Sequence, residues 1–185
     1  MQKVMMWQRY DEPSLEYLRF EAIPDGYQFN GAVVLDLEGA PARVDYHITC
    51  STDWHTRRVE IAQERAGAAS SLMLETDTQQ RWSQNGKHLD HFSGQQHIDL
   101  SITPATNLLA IRSLKLEIGQ SQDTSALWVI FPDLRLERLD QRYTRLDAQR
   151  YRYEALSIDF ETILEVDEDG FIIDYGGLWK AIHRS

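Results

Sequence analysis

The chain is poor in the features that usually announce a location or a chemistry. Cys50 is its one cysteine, so no intramolecular disulfide forms and a metal site built from several cysteines is excluded. The first ten residues, MQKVMMWQRY, have neither the apolar core nor the small-residue cleavage site of a secretory leader. No stretch approaches the ~20 consecutive apolar residues of a membrane span. No G-x-S-x-G elbow, phosphate-binding glycine loop or dinucleotide fingerprint occurs. A soluble chain in a reducing, cytoplasmic setting is the expectation. Positive charge is also scarce: the formal net charge is -10, which repels nucleic acid and anionic membrane surfaces.

What is present is a globular composition, 42% hydrophobic and 26% charged over 185 residues. A chain of that length buries roughly 70% of its unfolded surface without covalent staples. No linker, repeat or low-complexity segment divides it, so a single domain over 1–185 is expected. Period-two alternation dominates, the mark of strands with one buried face. In Arg43–Cys50, Val44, Tyr46, Ile48 and Cys50 share one face; Val59 and Ile61 do the same in a partner strand over Arg57–Ala62. Asn85-Gly86 suits a two-residue turn with positive φ at both positions, which sets Trp82 opposite Leu89 and Ser83 opposite His88. Asp169-Gly170 is read the same way, with Val166 opposite Ile173 and Leu164 opposite Tyr175. Thr103-Pro104 predicts a helix start, Thr as cap and Pro in the first turn. That helix is expected to be short, because Leu114, Leu116 and Ile118 alternate like the next strand. Leu127–Phe131 reads as a strand buried on both sides, while Arg135–Tyr151 fits either a helix or strands.

Candidate chemistry is sparse. His88, His91 and His97 lie near Asp90 and Asp99, but their spacing matches no metal motif; no metal and no cofactor are expected. Asp167-Glu168-Asp169-Gly170 lacks the further acidic positions of a calcium loop and is explained by a hairpin turn. The run Asp53-Trp54-His55-Thr56-Arg57-Arg58 joins a stacking surface, an imidazole and two guanidinium groups. It either grips a sugar or phosphate or is a loop with one anchoring Trp. From Arg135 to Arg152, six arginines face three acids, a local +3 that leaves -13 elsewhere. Tyr143, Tyr151 and Tyr153 are interleaved with it, which suits polar headgroups or surface cation–π packing.

The order Tyr46, Trp54, Thr56-Arg57, Trp82, then Asp99-Leu100-Ser101-x-Thr103-Pro104-x-Thr106-Asn107-x-Leu109-x-Ile111-Arg112, resembles the bacterial glycolipid-binding family. It continues with Pro132, Gln141-x-Tyr143, Tyr151-x-Tyr153, Phe160, Val166-Asp167-x-x-Gly170, Tyr175 and Trp179, nearly the whole chain. The resemblance implies a mostly β fold, a spiral β-roll in which a long antiparallel sheet wraps around a single short helix, often as a homodimer. Ala110 and Ser113 stand where members often have proline and a second arginine.

The reading that follows is a non-catalytic protein that binds an amphiphile such as a glycolipid, its acyl part against the concave sheet. Trp54, Arg57, Asn107, Arg112, Tyr143, Tyr151 and Tyr153 are the expected polar rim. An enzyme acting on a small sugar or phosphorylated metabolite is the alternative; it needs His55 as acid or base and Arg57 or Arg112 as stabiliser, all in one cleft. A dimeric interaction module is the third reading, and it needs an exposed apolar surface for the second subunit.

Overall fold

A computed structural model describes all residues, 1–185. Fifteen strands and one α-helix follow one another along the chain. The first eight strands are β1 (Gln2–Arg9), β2 (Ser14–Ile23), β3 (Gly26–Leu37), β4 (Ala40–Ser51), β5 (Thr56–Arg65), β6 (Ala68–Thr76), β7 (Trp82–Gln84) and β8 (Lys87–His88). After β9 (His97–Leu100) comes the helix α1 (Asn107–Leu114). Then follow β10 (Ser121–Ile130), β11 (Arg135–Arg145), β12 (Arg150–Ala155), β13 (Phe160–Val166), β14 (Ile172–Tyr175) and β15 (Trp179–Arg184). No helix is long and apolar enough to cross a membrane.

All fifteen strands belong to one sheet, ordered β8-β7-β6-β5-β4-β3-β2-β1-β15-β14-β13-β12-β11-β10-β9. Every neighbouring pair is antiparallel except β9 with β10. The alternation of apolar residues makes one face of each strand the inner face: Leu18 and Phe20 on β2, Phe29 and Val33 on β3, and Val44 and Ile48 on β4 are fully buried. A sheet this long and this one-sided curls to bury that face.

The curl is fastened at a seam. Thr56 on β5 donates its backbone N–H to the Gln96 carbonyl (2.9 Å) and accepts on Oγ1 from the Ile98 N–H (3.0 Å). Trp82 Nε1 donates to the Gln95 carbonyl (2.8 Å), and Gln63 Nε2 donates to the Pro132 carbonyl (2.9 Å). The β9 end of the sheet therefore meets β5, while β6, β7 and β8 continue past the meeting point. That overlap makes the sheet a spiral roll, mostly antiparallel and wrapped around α1. Asn107, Leu108, Leu109, Ala110 and Ile111 of α1 are all buried, which an apolar helix needs when protein surrounds it. The interior is filled by one cluster of 42 buried residues.

Several local expectations are corrected. α1 begins at Asn107 with Thr106 at the cap position, later than the Thr103-Pro104 start read from the sequence. The Thr103 hydroxyl does take a backbone N–H, that of Ala105 (2.9 Å), but inside a preceding turn. There the Asn107, Leu108 and Leu109 N–H groups bond three residues back, a tighter winding than the α-helix. Leu114–Ile118 is not a strand: α1 runs to Leu114 and ends on Lys115 in a left-handed conformation, with β10 starting only at Ser121. Arg135–Arg145 is a strand. Asn85-Gly86 forms the expected turn, both residues having positive φ, with Ser83 opposite His88.

The Asp169-Gly170 hairpin differs from its expectation, because only Gly170 has positive φ (92°). The Asp167 carboxylate accepts from the Asp169 and Phe171 N–H groups (3.0 and 2.9 Å), holding a four-residue turn. The register shifts there, so that Val166 faces Ile172, not Ile173, while Leu164 still faces Tyr175.

The arginine-rich stretch is an ion-paired outer face. Arg135, Arg138, Arg142, Arg150 and Arg152 bridge Glu137, Asp140, Asp123, Asp147 and Glu161.

Candidate functional site

Threading α1 through the roll gives its two ends different surroundings. Asn107 opens the helix and faces one mouth of the roll. Arg112 and Lys115 close it and face another. Arg112 is five positions beyond Asn107, about 7.5 Å along the helix.

The first mouth is a cleft of about 180 Å³ whose wall is largely aromatic and aliphatic, including Trp128, Tyr153, Phe160, Tyr175 and Trp179. Asp99 on β9 sits in it, directly across from Trp128 on β10. One Asp99 oxygen accepts from Gln141 Nε2 (2.9 Å), and the same amide nitrogen donates to Tyr153 Oη (2.9 Å). The other Asp99 oxygen has no hydrogen-bond partner in the protein. Asn107 Nδ2 donates to Tyr143 Oη (2.8 Å), and the Tyr143 and Tyr153 rings lie 5.1 Å apart. Tyr175 packs edge-on against both Tyr153 and Trp179 (6.0 and 5.3 Å).

Loss of hydration pushes the Asp99 carboxyl up to about 6, partly offset by the Gln141 hydrogen bond. Burial and then the neighbouring Asp99 hold the Tyr153 and Tyr175 phenols well above their ordinary value. The cleft thus offers one carboxylate acceptor, neutral hydroxyls, an amide and flat apolar rings. That set is chemically suited to polyhydroxylated rings, with acceptors and donors for hydroxyls and flat faces for C–H groups.

Behind this cleft lies Glu16, an inward-pointing residue of β2 that is 1% exposed. Its Oε1 accepts from the Tyr46 hydroxyl and from Thr103 Oγ1 (2.8 Å), Thr103 itself lining the cleft. Oε2 is sealed from solvent with no partner. Burial pushes this carboxyl up to about 7, the two hydrogen bonds opposing the shift.

The second mouth, about 310 Å³, is bordered by Trp54, Arg112, Lys115, Arg145, Tyr151 and Glu168 among others. Trp54 is 3% exposed and stacks on Tyr27 (3.9 Å between centroids). The Arg112 guanidinium stands 5.2 Å from the Trp54 ring centre, and that of Arg145 5.8 Å from Tyr151.

The seven residues expected to form one polar rim are thus dispersed. Asn107 and Tyr153 line the Asp99 cleft, with Tyr143 buried and bonded to Asn107, and Trp54, Arg112 and Tyr151 border the second mouth. Arg57 stands apart from both, donating to the Asp77 carbonyl (3.0 Å). Five of the seven, Trp54, Asn107, Tyr143, Tyr151 and Tyr153, are buried. Alternation turns Tyr143, Tyr151 and Tyr153 inward and the helix buries Asn107, while Trp54 lies in the connection between β4 and β5 and is buried by stacking on Tyr27. His55 and Arg57 border neither mouth, so Arg112 is not assembled with them. Lost hydration lowers the His55 imidazole against the opposing charge of Asp53, and Arg57 is near enough to lower it further. His55 also neighbours His97 (6.1 Å between rings). His97 is buried with both ring nitrogens unpartnered, and lost hydration lowers it to about 3. No three His, Cys, Asp or Glu side chains are grouped as metal ligands.

Asp99, Gln141 and Tyr175 belong to the motif that carries the family resemblance, but reading the sequence singled out none of them as binding residues. Glu16 left a signal that was legible in principle, a charged residue in an inward register otherwise filled by Leu18 and Phe20.

Residues 4–181 match the profile of the family described as "Putative glycolipid-binding". A DUF1089 family protein from Pseudomonas aeruginosa is similar in structure, with a TM-score of 0.85 and 35% identity over 93% of this chain and 94% of that one. A β-barrel-like protein of a domain of unknown function, DUF1849, from Brucella abortus shares the fold alone. Its TM-score is 0.55 at 10% identity, covering 100% of this chain and 96% of that one. None of the curated proteins compared with the chain matches it.

Proposed function

Because the chain belongs to this glycolipid-binding family, we propose that it binds an amphiphile by its glycosyl headgroup in the Asp99 cleft, without chemical conversion. The observation that carries the reading is the Asp99 carboxylate, one oxygen held by Gln141 and the other unpartnered, at the base of an aromatic wall. A cleft of about 180 Å³ is smaller than the roughly 300–1,000 Å³ of a typical ligand pocket. It suits a single headgroup, not a whole lipid. The interior, filled by α1, leaves no place for an acyl chain along the concave sheet, so the tail lies outside. Ile158, half exposed at the cleft wall, and Leu156 beside it provide apolar surface there.

A homodimer completes the proposal. Leu15 and Val34 pair across β2 and β3 on the outer face, and with Tyr17 they leave large apolar side chains exposed. A second copy is the cover we propose for them, and a strictly monomeric mass in static light scattering would remove that part. The lone buried Cys50 supports a reducing, cytoplasmic setting.

The binding reading is tested with octyl glucoside below its micellar concentration. Saturable binding is expected, weakened about tenfold or more by Asp99→Asn, as for loss of a charge-assisted hydrogen bond. Native mass spectrometry of protein from its own host is expected to release a glycosylated lipid. Non-saturable binding together with empty extracts would overturn the reading.

A further inference from the structure

In a chain with an excess of acids, most basic side chains find a carboxylate. Thirteen of the 19 Lys and Arg side chains lie within 4 Å of one. Three of the remaining six, Arg112, Lys115 and Arg145, border the same mouth at the C-terminal end of α1. The acids nearest to them are engaged or peripheral. Asp167 is bridged to Lys3 (2.6 Å) and uses its other oxygen on turn N–H groups, and Glu168 is exposed and unpaired.

The guanidinium groups are held in place without being neutralised. Arg145 donates Nη1 to the Leu116 carbonyl (2.9 Å) and Nε to the Asp147 carbonyl (3.2 Å), which leaves Nη2 free. Arg112 lies over the Trp54 ring, itself locked by stacking on Tyr27. Arg112, Arg145 and Tyr151 border the same mouth, the Arg145 guanidinium 5.8 Å from the Tyr151 ring centre. Burial raises the Tyr151 phenol while Arg145 and Arg112 pull it down. The Tyr151 hydroxyl makes no hydrogen bond in the protein and is not sealed. Cations at a helix C-terminus offset its dipole, and this accounts for Arg112 and Lys115. It does not account for Arg145, which arrives from β11, or for the unpartnered Tyr151 hydroxyl at the same mouth.

We propose that this mouth is an anion site for a phosphoryl group, with Arg112 and Arg145 forking onto its oxygens, Tyr151 Oη donating, and Lys115 adding charge at the lip. Three cations and a neutral donor match a dianionic tetrahedral group better than a single carboxylate, and planar guanidinium forks fit its oxygens. The site is separate from the Asp99 cleft, and its test is independent of any glycosyl ligand. The phosphoryl group belongs either to a free phosphorylated molecule or to a lipid headgroup.

The experiment is isothermal titration with inorganic phosphate, run in parallel with co-sedimentation on phosphatidylcholine vesicles with and without phosphatidic acid. Saturable phosphate binding marks a free ligand, and binding only to phosphatidic acid vesicles marks a headgroup; either supports the site. Arg112→Gln and Arg145→Gln should each weaken the positive arm about tenfold. Arg138→Gln, which removes an equal charge from the ion-paired outer face, should leave it unchanged. Absence of binding in both arms, or equal weakening by all three variants, would overturn the proposal.

Discussion

Replacing Glu16 with Gln should stabilise the protein at pH 8 and destabilise it by up to about 1 kcal/mol near pH 4.5, where only the cost of the unpaired amide is left. The carboxyl moves from an ordinary 4.5 in the unfolded chain to about 7 when folded, because burial withdraws its hydration. A folded-state value above the unfolded one means the folded chain holds the proton where the unfolded chain has released it. Stability contributed by this group is therefore present below about 4.5, declines as pH rises, and is lost above about 7. At ~1.4 kcal/mol per pKa unit, the full shift amounts to about 3 kcal/mol. Gln preserves the carbonyl that accepts from Tyr46 and Thr103 and puts an amide where Oε2 is already unpartnered. That unpaired amide costs roughly 1 kcal/mol, so a net gain of about 1–3 kcal/mol is expected at pH 8. Urea unfolding from pH 4.5 to 8 reads it as a midpoint difference that widens with pH at constant slope. A difference that does not change with pH, or Glu16→Gln destabilising more at pH 8 than at pH 4.5, would rule out a raised Glu16 carboxyl.

Three further outcomes test the fold. Thr56→Val keeps the shape but removes the acceptor of the Ile98 N–H at the seam; a loss of about 1–3 kcal/mol in urea unfolding is expected for a buried donor left unpaired. Gly170→Ala places a methyl group at φ 92°, 3.2–3.4 Å from Leu108, Ile111 and Arg112. Strain plus contact with α1 should cost about 1–3 kcal/mol, seen as a lower thermal midpoint. Arg142→Gln cuts an exposed bridge to Asp123 (2.6 Å) and should leave the midpoint unchanged even at low salt, as for a solvated face.

The strands were legible because their physics is local. In β4 the inward set Val44, Tyr46, Ile48 and Cys50 follows directly from the period of two, and Asn85-Gly86 satisfies a backbone requirement within two residues. The local reading failed where a side chain had a distant partner or captured backbone groups of its own turn. Thr103 looked like a helix cap but shares its hydroxyl with Glu16, 87 positions away. Asp169-Gly170 looked like a two-residue turn, but Asp167 captures two N–H groups and Gly170 packs on α1.

By itself, then, the sequence determined a mostly β chain of hairpins with one short apolar helix and, through its motif, the family. Alternation and turn chemistry act between neighbours, so no other part of the chain is needed to read them. The closure of the roll at Thr56 and Ile98 was decided only by tertiary structure, as was the dispersal of the seven candidates, six of them at or next to the two mouths and Arg57 at neither. The burial that raises Glu16 and Asp99 belongs there too. Each depends on groups far apart in the chain and on hydration lost only when the sheet curls around α1.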